Sequence, residues 1–249
     1  MNLDRPDLSI IIPARQEALR LPKTLHLLQK FLNEQSYSAE IIPVVQGEDE
    51  TTTIIINAAT TDPRIRPIFD PTGRGKGLAV RQGVKAAQGN IILFMDADLS
   101  VPLSCLQLLI KNFIQSPHDD LLIGSRHLPD SNILIPQPFL RQMLGKIFNL
   151  ALRLSDLTHF RDTQCGCKLF RHDAAKKIFA QSTLNGFAFD VEILLLAQHL
   201  GYQIKEVPVE WANAGNSRLG LLRDGFRAIQ DIWELKRKFT GRKENLSLN

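Results

Sequence analysis

Four short apolar runs, LSIIIP at 8–13, EIIPVV at 40–45, IRPIFD at 65–70 and NIILFMD at 90–96, alternate with stretches of helical spacing. Helical patterns start near Ala18, run through the fifties and start again at Gly77. This alternation predicts crossover helices joining parallel strands, and the near-continuous apolar character of each run predicts burial on both faces. The expected fold is α/β, with a mostly parallel central sheet flanked by helices. Further on, a helix is expected over 104–115, a strand over 120–126, a helix near 188–200 and a last strand over 205–211. The rhythm changes between them: Pro136 to Leu154 reads as helical, and the loops at 127–138 and 212–218 are the expected mobile parts.

A chain of 249 residues, 44% hydrophobic, suits one well-packed domain over 1–249. No run approaches the roughly 18 apolar residues of a membrane span, and the polar start MNLDRPD lacks a signal-peptide core, so a cytoplasmic protein is expected. Cys105, Cys165 and Cys167 read as reduced thiols, since three cannot all pair and no second ligand pair for zinc accompanies them. The net charge of +4 is concentrated at the end: Arg218 to Lys243 holds eight basic and three acidic residues. That pattern is a basic tail suited to an anionic membrane surface, and it is no nucleic-acid footprint.

The fourth run closes on Asp96-Ala97-Asp98. Two carboxylates at the carboxyl end of a strand make a hard-oxygen site for Mg²⁺ or Mn²⁺ and for the diphosphate such an ion carries. Alone, the pair equally reads as a strand end followed by a helix cap. Pro13-Ala14-Arg15-Gln16-Glu17 ends the first run, where a nucleotide would meet the sheet, and also reads as a solvated loop. Thr72 to Gly77, TGRGKG, offers glycines for close backbone approach, Arg74 and Lys76 for charge, and a helix N-terminus for an anion; a plain capping turn is the alternative. It lacks the spacing of a Walker A loop. His118, His127, His159 and His172 show no ligand spacing, and Trp211 and Trp233 read as core or interface residues.

The ordered set IIIPARQE, GRGKGLAVRQG, FMDADLS, IGSR, DTQCGCKLF, FAFDVEIL and GNSRL resembles glycosyltransferase family 2, with its GT-A fold, from about Leu8 to Leu235. Within that family it is most similar to the polyprenyl-phosphate sugar synthases. The resemblance implies an inverting, metal-dependent transfer of a hexose, glucose being favoured, from a nucleotide diphosphate sugar to a polyprenyl phosphate. It places Pro13, Ala14, Arg15, Glu17 and Gln46 at the base and ribose, Arg74, Lys76, Asp96, Ala97 and Asp98 at the diphosphate, and the metal on Asp96 and Asp98, with Asp98 the direct ligand. Arg126, Arg141 and Arg218 match its phosphate-handling positions, and Asp190 and Glu192 sit near the place where other members keep a catalytic acidic residue.

Two departures matter. The acidic turn that usually follows the second strand reads Val45-Gln46-Gly47-Glu48-Asp49, which bears on base recognition. Ser100 stands where mannose synthases tend to carry glutamine, which with DTQCG favours UDP-glucose over GDP-mannose. A soluble hydroxyl acceptor, for which Asp190 or Glu192 would serve as base, and a non-catalytic nucleotide-sugar-binding module are the alternatives. A nucleotidyltransferase is disfavoured, because PARQE stands where its glycine-rich signature belongs. Peripheral membrane contact is expected through the basic amphipathic helix over 218–243, with apolar residues at 219, 222, 226, 229 and 233 and the run Lys236-Arg237-Lys238. Packing of that stripe on the core is its alternative, and Pro136 to Leu154 is a second candidate on the acceptor side.

Overall fold

A computed structural model describes residues 5–139, 142, 143, 145, 152, 158–186, 188–214, 230, 231 and 233–239. The first run becomes β1 (Leu8–Ala14), almost wholly buried. Successive side chains of a strand point to opposite faces. Ile10 and Ile12 accordingly enter one apolar cluster and Ile11 the other, so β1 lies between two layers of helix. Burying one such side chain stabilises by roughly 1.5–3 kcal/mol, which is what pins the strand register.

The layers follow from helical spacing. α1 (Leu21–Asn33) buries Leu21, Leu25, Leu28, Phe31 and Leu32 along one stripe and begins with a proline in its first turn, where no N–H is missed. It joins α2 (Glu50–Thr61) and α4 (Leu103–Gln115) on one face of the sheet. α3 (Lys76–Ala86), α5 (His172–Gln181) and α6 (Phe189–His199) cover the other. α6 is buried from Phe189 to Ala197, the mark of a helix enclosed by protein.

With β2 (Ala39–Gln46), β3 (Ile68–Asp70), β4 (Ile91–Met95), β5 (Leu121–Ser125), β7 (Cys167–Arg171) and β8 (Ile204–Pro208), β1 forms a seven-stranded sheet of order β3-β2-β1-β4-β7-β5-β8. The first four strands are parallel, as their alternation with helices predicts. β7 is antiparallel to both β4 and β5, and β5 pairs parallel with β8. Carboxyl ends of β1, β2, β3, β4 and β5 therefore share one edge, and β7 begins at that same edge. A separate ribbon pairs β6 (Asn132–Ile135) with β9 (Glu210–Ala212), so the stretch expected as loop over 127–138 contains a strand. No helix among the described residues is long and apolar enough to cross a membrane.

Candidate active site

β4 delivers Asp96 and Asp98 to the shared edge, and the turn that carries them is fastened on three sides. The Asp96 amide donates to Gly166 O at 3.1 Å, the Thr24 hydroxyl of α1 donates to Ala97 O at 2.6 Å, and Leu99 takes a left-handed conformation at φ 53°. That conformation is uncommon for a branched residue and marks a turn held by its surroundings. A Cβ at position 166 would collide with the Asp96 carboxylate, so the glycine of DTQCG lets β7 approach the acidic turn. Asp98 Oδ1 accepts from the Ser100 amide at 3.0 Å and hydroxyl at 2.6 Å, which leaves Oδ2 for another partner.

Lys76, the first residue of α3, reaches Asp96 Oδ1 at 2.7 Å. Burial works against its charge, but Asp96, Asp190 and Asp98 outweigh it and hold its pKa above the usual lysine value. Arg20 adds a second cation: burial again opposes the charge, while its bidentate partner Glu17 and the field of Asp98 and Asp96 raise its pKa. Among the described residues no group of three or more His, Cys, Asp or Glu side chains could hold a metal. Two carboxylates with an open oxygen suit a hard ion that takes its other ligands from phosphate and water, and Mg²⁺ is commonly held so. Asp96 and Asp98 thus fit Mg²⁺ or Mn²⁺, whereas a softer metal would want nitrogen or sulfur ligands.

The second pair of acidic candidates is built otherwise. Asp190 is buried and meets the buried Lys168 at 2.5 Å; Lys168 also donates to Cys165 O at 2.8 Å. Phe94 lies between this pair and the acidic turn, with Lys168 Nζ 5.0 Å and Lys76 Nζ 5.6 Å from its ring centroid. Glu192 is fully buried and accepts from the Thr183 amide and hydroxyl, the Leu184 amide and Lys238 Nζ at 2.6–3.1 Å. Four donors on one carboxylate make it a fastening for the 183–184 turn and the 233–239 helical stretch, and leave it badly placed to take a proton.

Arg126, at the end of β5, is also committed. Its Nε and Nη2 grip Asp162 at 2.7 and 2.9 Å, its amide donates to the same carboxylate at 2.9 Å, and its guanidinium stands 5.5 Å over the Trp211 ring. Burial would raise the Asp162 carboxyl, yet Arg126 brings it down to about 2. Among the described residues Nη1 of Arg126 makes no hydrogen bond. Trp211 joins Met95, Asp96, Leu99, Ser100, Val101 and Gly166 around a small recess beside the acidic turn.

At the carboxyl end of β1, Pro13 and Ala14 finish the strand and Arg15 is exposed beyond them. Gln16, at φ 56°, donates its amide to Asp49, and the Glu17 amide donates to Thr51 Oγ1 at 2.9 Å, tying this loop to the start of α2. Gln46 ends β2 opposite Asp70 of β3; it is 3% exposed, and its Nε2 finds no partner among the described residues. A buried amide without a partner is uncommon, and water or a ligand group can satisfy it. The glycines of 72–77 serve packing more than anion approach. Gly75 and Gly77 lie against Asn185 and Leu184, and the Gly77 amide donates to Asn185 O at 2.9 Å. Arg74 is exposed on this loop.

Arg141, Arg218, GNSRL and residues 219–229 of the expected C-terminal helix lie outside the described residues. The described remainder of that helix packs on the protein: Leu235 is buried against Val191 and Leu195, while Trp233 is exposed. Lys168, Asp162, Arg20 and Gly166 were absent from the candidates read from sequence. DTQCGCKLF held the signal for three of them, since it places an acid, a glycine and a lysine within seven residues. The three cysteines are free and buried, as expected of reduced thiols, and burial pushes the Cys165 thiol up to about 12.

Residues 9–179 match the family model described as glycosyl transferase family 2. The dolichyl-phosphate beta-glucosyltransferase of Dictyostelium discoideum is 34% identical over 94% of this chain and 78% of its own length. Among solved structures, glucosyl-3-phosphoglycerate synthase from Mycobacterium tuberculosis, in complex with Mn²⁺, UDP and its product, superposes with a TM-score of 0.67 at 16% identity, over 92% of this chain and 80% of that one. Mannosyl-3-phosphoglycerate synthase from Rubrobacter xylanophilus gives 0.70 at 16% identity, over 95% and 75%. At that identity the likeness establishes the fold, which is of GT-A type.

Proposed function

The chain belongs to glycosyltransferase family 2, and from that premise we propose that it transfers glucose from UDP-glucose to a dolichyl-type polyprenyl phosphate, with inversion, at the cytoplasmic face of a membrane. The observation that carries this reading is the contrast at the sheet edge. Asp96, beside Lys76, and Asp98 keep solvent contact there, while Asp190 and Glu192 are buried against Lys168 and four donors. A phosphate acceptor needs no general base, because its second pKa is about 6 and it is anionic at neutral pH. A hydroxyl acceptor would need one.

One phosphate oxygen attacks the anomeric carbon from the face opposite the diphosphate; the new C–O bond forms as the bond to the β-phosphate oxygen breaks, and UDP departs with that electron pair. A divalent ion held by Asp96 and Asp98 would offset the charge that grows on the departing diphosphate. Lys76 and Arg20 add positive charge on the same side, and Gln46 Nε2 offers a donor to a uracil carbonyl. The glucosyl transfer to dolichyl phosphate for which the Dictyostelium relative is named supports the sugar and the lipid, and the UDP and Mn²⁺ in the Mycobacterium structure support the donor and the ion.

The test is a transfer assay with labelled UDP-glucose, GDP-mannose and UDP-N-acetylglucosamine against dolichyl phosphate and 3-phosphoglycerate, with Mn²⁺ and with chelator. Metal-dependent glucolipid formed from UDP-glucose is the expected result. Glucose appearing on 3-phosphoglycerate and not on lipid would overturn the acceptor, and lipid-linked mannose would overturn the donor.

A further inference from the structure

Of the eleven large apolar side chains exposed among the described residues, five lie between Ile133 and Met143: Ile133, Leu134, Ile135, Phe139 and Met143. A strand normally hides one face, because alternate residues point to opposite sides. β6 hides neither, for all four of its residues are exposed. Leu134 and Ile135 are 50% and 54% exposed and Phe139 80%, so the patch is contiguous in sequence and spans a strand and the helical residue beyond it. Clustered exposed apolar side chains of this kind mark a surface that meets another phase or partner.

The sequence that continues the patch narrows the occupant. From Ser131 to Ser155 it carries Arg141, Lys146 and Arg153 and neither aspartate nor glutamate, while Asp130 before β6 and Glu210 on the paired β9 are exposed acids. An apolar patch continued by a basic sequence complements the headgroup region of an anionic bilayer. The C-terminal stretch is the weaker candidate for this role, since Leu235 is buried on α6 and Lys238 is paired with Glu192.

The patch is mechanically joined to the acidic turn. The Asn213 amide donates to Ile135 O at 2.9 Å, the Ala212 amide of β9 donates to Ser100 O at 2.8 Å, and Ser100 holds Asp98 Oδ1 through its amide and hydroxyl. A surface bound through β6 would thus lie a short hydrogen-bonded path from the carboxylates. We propose that β6 and Phe139 beyond it form the membrane-docking face, with Ile133, Leu134, Ile135 and Phe139 entering an anionic lipid surface beside the catalytic edge. The proposal rests on the lipid-acceptor reading for its purpose, and the binding itself can be measured without it.

The experiment compares the full-length protein with the Leu134→Glu/Phe139→Glu variant in sedimentation with vesicles of phosphatidylcholine, alone and mixed with phosphatidylserine. Leu108→Glu, at an exposed leucine of α4, is the control. The parent and the control should bind the anionic vesicles, with binding weakened by salt, and the double variant should bind at least about tenfold more weakly. UDP binding with Mn²⁺ should stay unchanged, which shows the variant to be folded. Equal vesicle binding by parent and variant would overturn the assignment, as would a parent that ignores vesicles. So would a parent that dimerises through this strand and is made monomeric by the variant, because the occupant would then be a second copy. Glucosyl transfer to a short-chain, water-soluble prenyl phosphate separates the two readings. Vesicle binding through β6 without transfer to any prenyl phosphate sinks the proposed function and leaves the docking face standing. Transfer to the soluble acceptor with no vesicle binding does the reverse.

Discussion

Asp96 and Asp98 on one side, and Asp190, Glu192 and Asp162 on the other, are two groups of carboxylates held in opposite ways. The first pair ends a strand at the open edge of the sheet, and each side chain keeps solvent contact: Asp96 is 37% exposed. The second group is buried, and each member is paired with a lysine, an arginine or a set of N–H and O–H donors. Burying a carboxylate without partners is costly, so a fold that buries three must surround each with donors. Only the carboxylates the fold leaves incompletely paired keep the capacity to bind a cation or diphosphate. Which acids do chemistry is thus decided by what else each one touches.

The sharpest way to break the contrast is Asp98→Ala. It removes an oxygen ligand at the open edge, and among the described residues the donors it leaves unpaired are the amide and hydroxyl of Ser100, which is 8% exposed. Transfer should fall by about 10²–10³-fold, as when a dedicated transition-state contact is removed, while stability falls by about 1–2 kcal/mol through the lost Ser100 bonds. Calorimetry of UDP binding with and without Mn²⁺ checks the cause. Metal-dependent UDP binding that survives the substitution would put the ion elsewhere.

Lys168→Met tests the other side. Here the substitution leaves Asp190 buried and unpaired, and breaking such a pair costs about 3–5 kcal/mol. Urea denaturation should show that loss, and Lys168→Met/Asp190→Leu should regain a large part of it, because removing both charges abolishes the unpaired one. If the single variant is as stable as the parent, water reaches this pair and the division into open and closed carboxylates fails.

The same contrast explains what could be read from the chain. Strands β1, β2 and β4 were legible because burial on both faces leaves a continuous apolar signature, and Asp96 and Asp98 because they break that run at its end. β7 was not, for an antiparallel strand that crosses the middle of the sheet carries Lys168 in its centre, where a charge argues against a core strand. The partners of Asp190 and Asp162 lie 22 and 36 residues away in sequence, so their pairing is a property of the folded topology. The glycines of TGRGKG were visible but ambiguous: a glycine signals close approach without saying to what, and here the neighbour is the backbone at Leu184 and Asn185. β6 read as loop, since among the described residues it pairs with a strand some eighty residues later.

Acid supplies a gentler probe of the closed group. Asp162 titrates in the folded protein at about 2, because Arg126 overcomes the effect of burial, while an unfolded chain holds the same carboxyl near 4. A folded-state value below the unfolded one means stability that is complete above about pH 4 and is lost as pH falls toward 2, worth about 2 kcal/mol in all. Asp62, paired with Arg64 and likewise brought down to about 2, contributes a second portion over the same range. Asp162→Asn should therefore lower stability at neutral pH, by leaving Arg126 without its counter-charge, and should flatten the fall between pH 4 and 2 without abolishing it, the Asp62 share remaining. Urea midpoints across that range measure both effects. An unchanged acid slope in the variant would mean that Arg126 does not hold Asp162 ionised, and would return Arg126, with its full guanidinium, to the arginines available for phosphate.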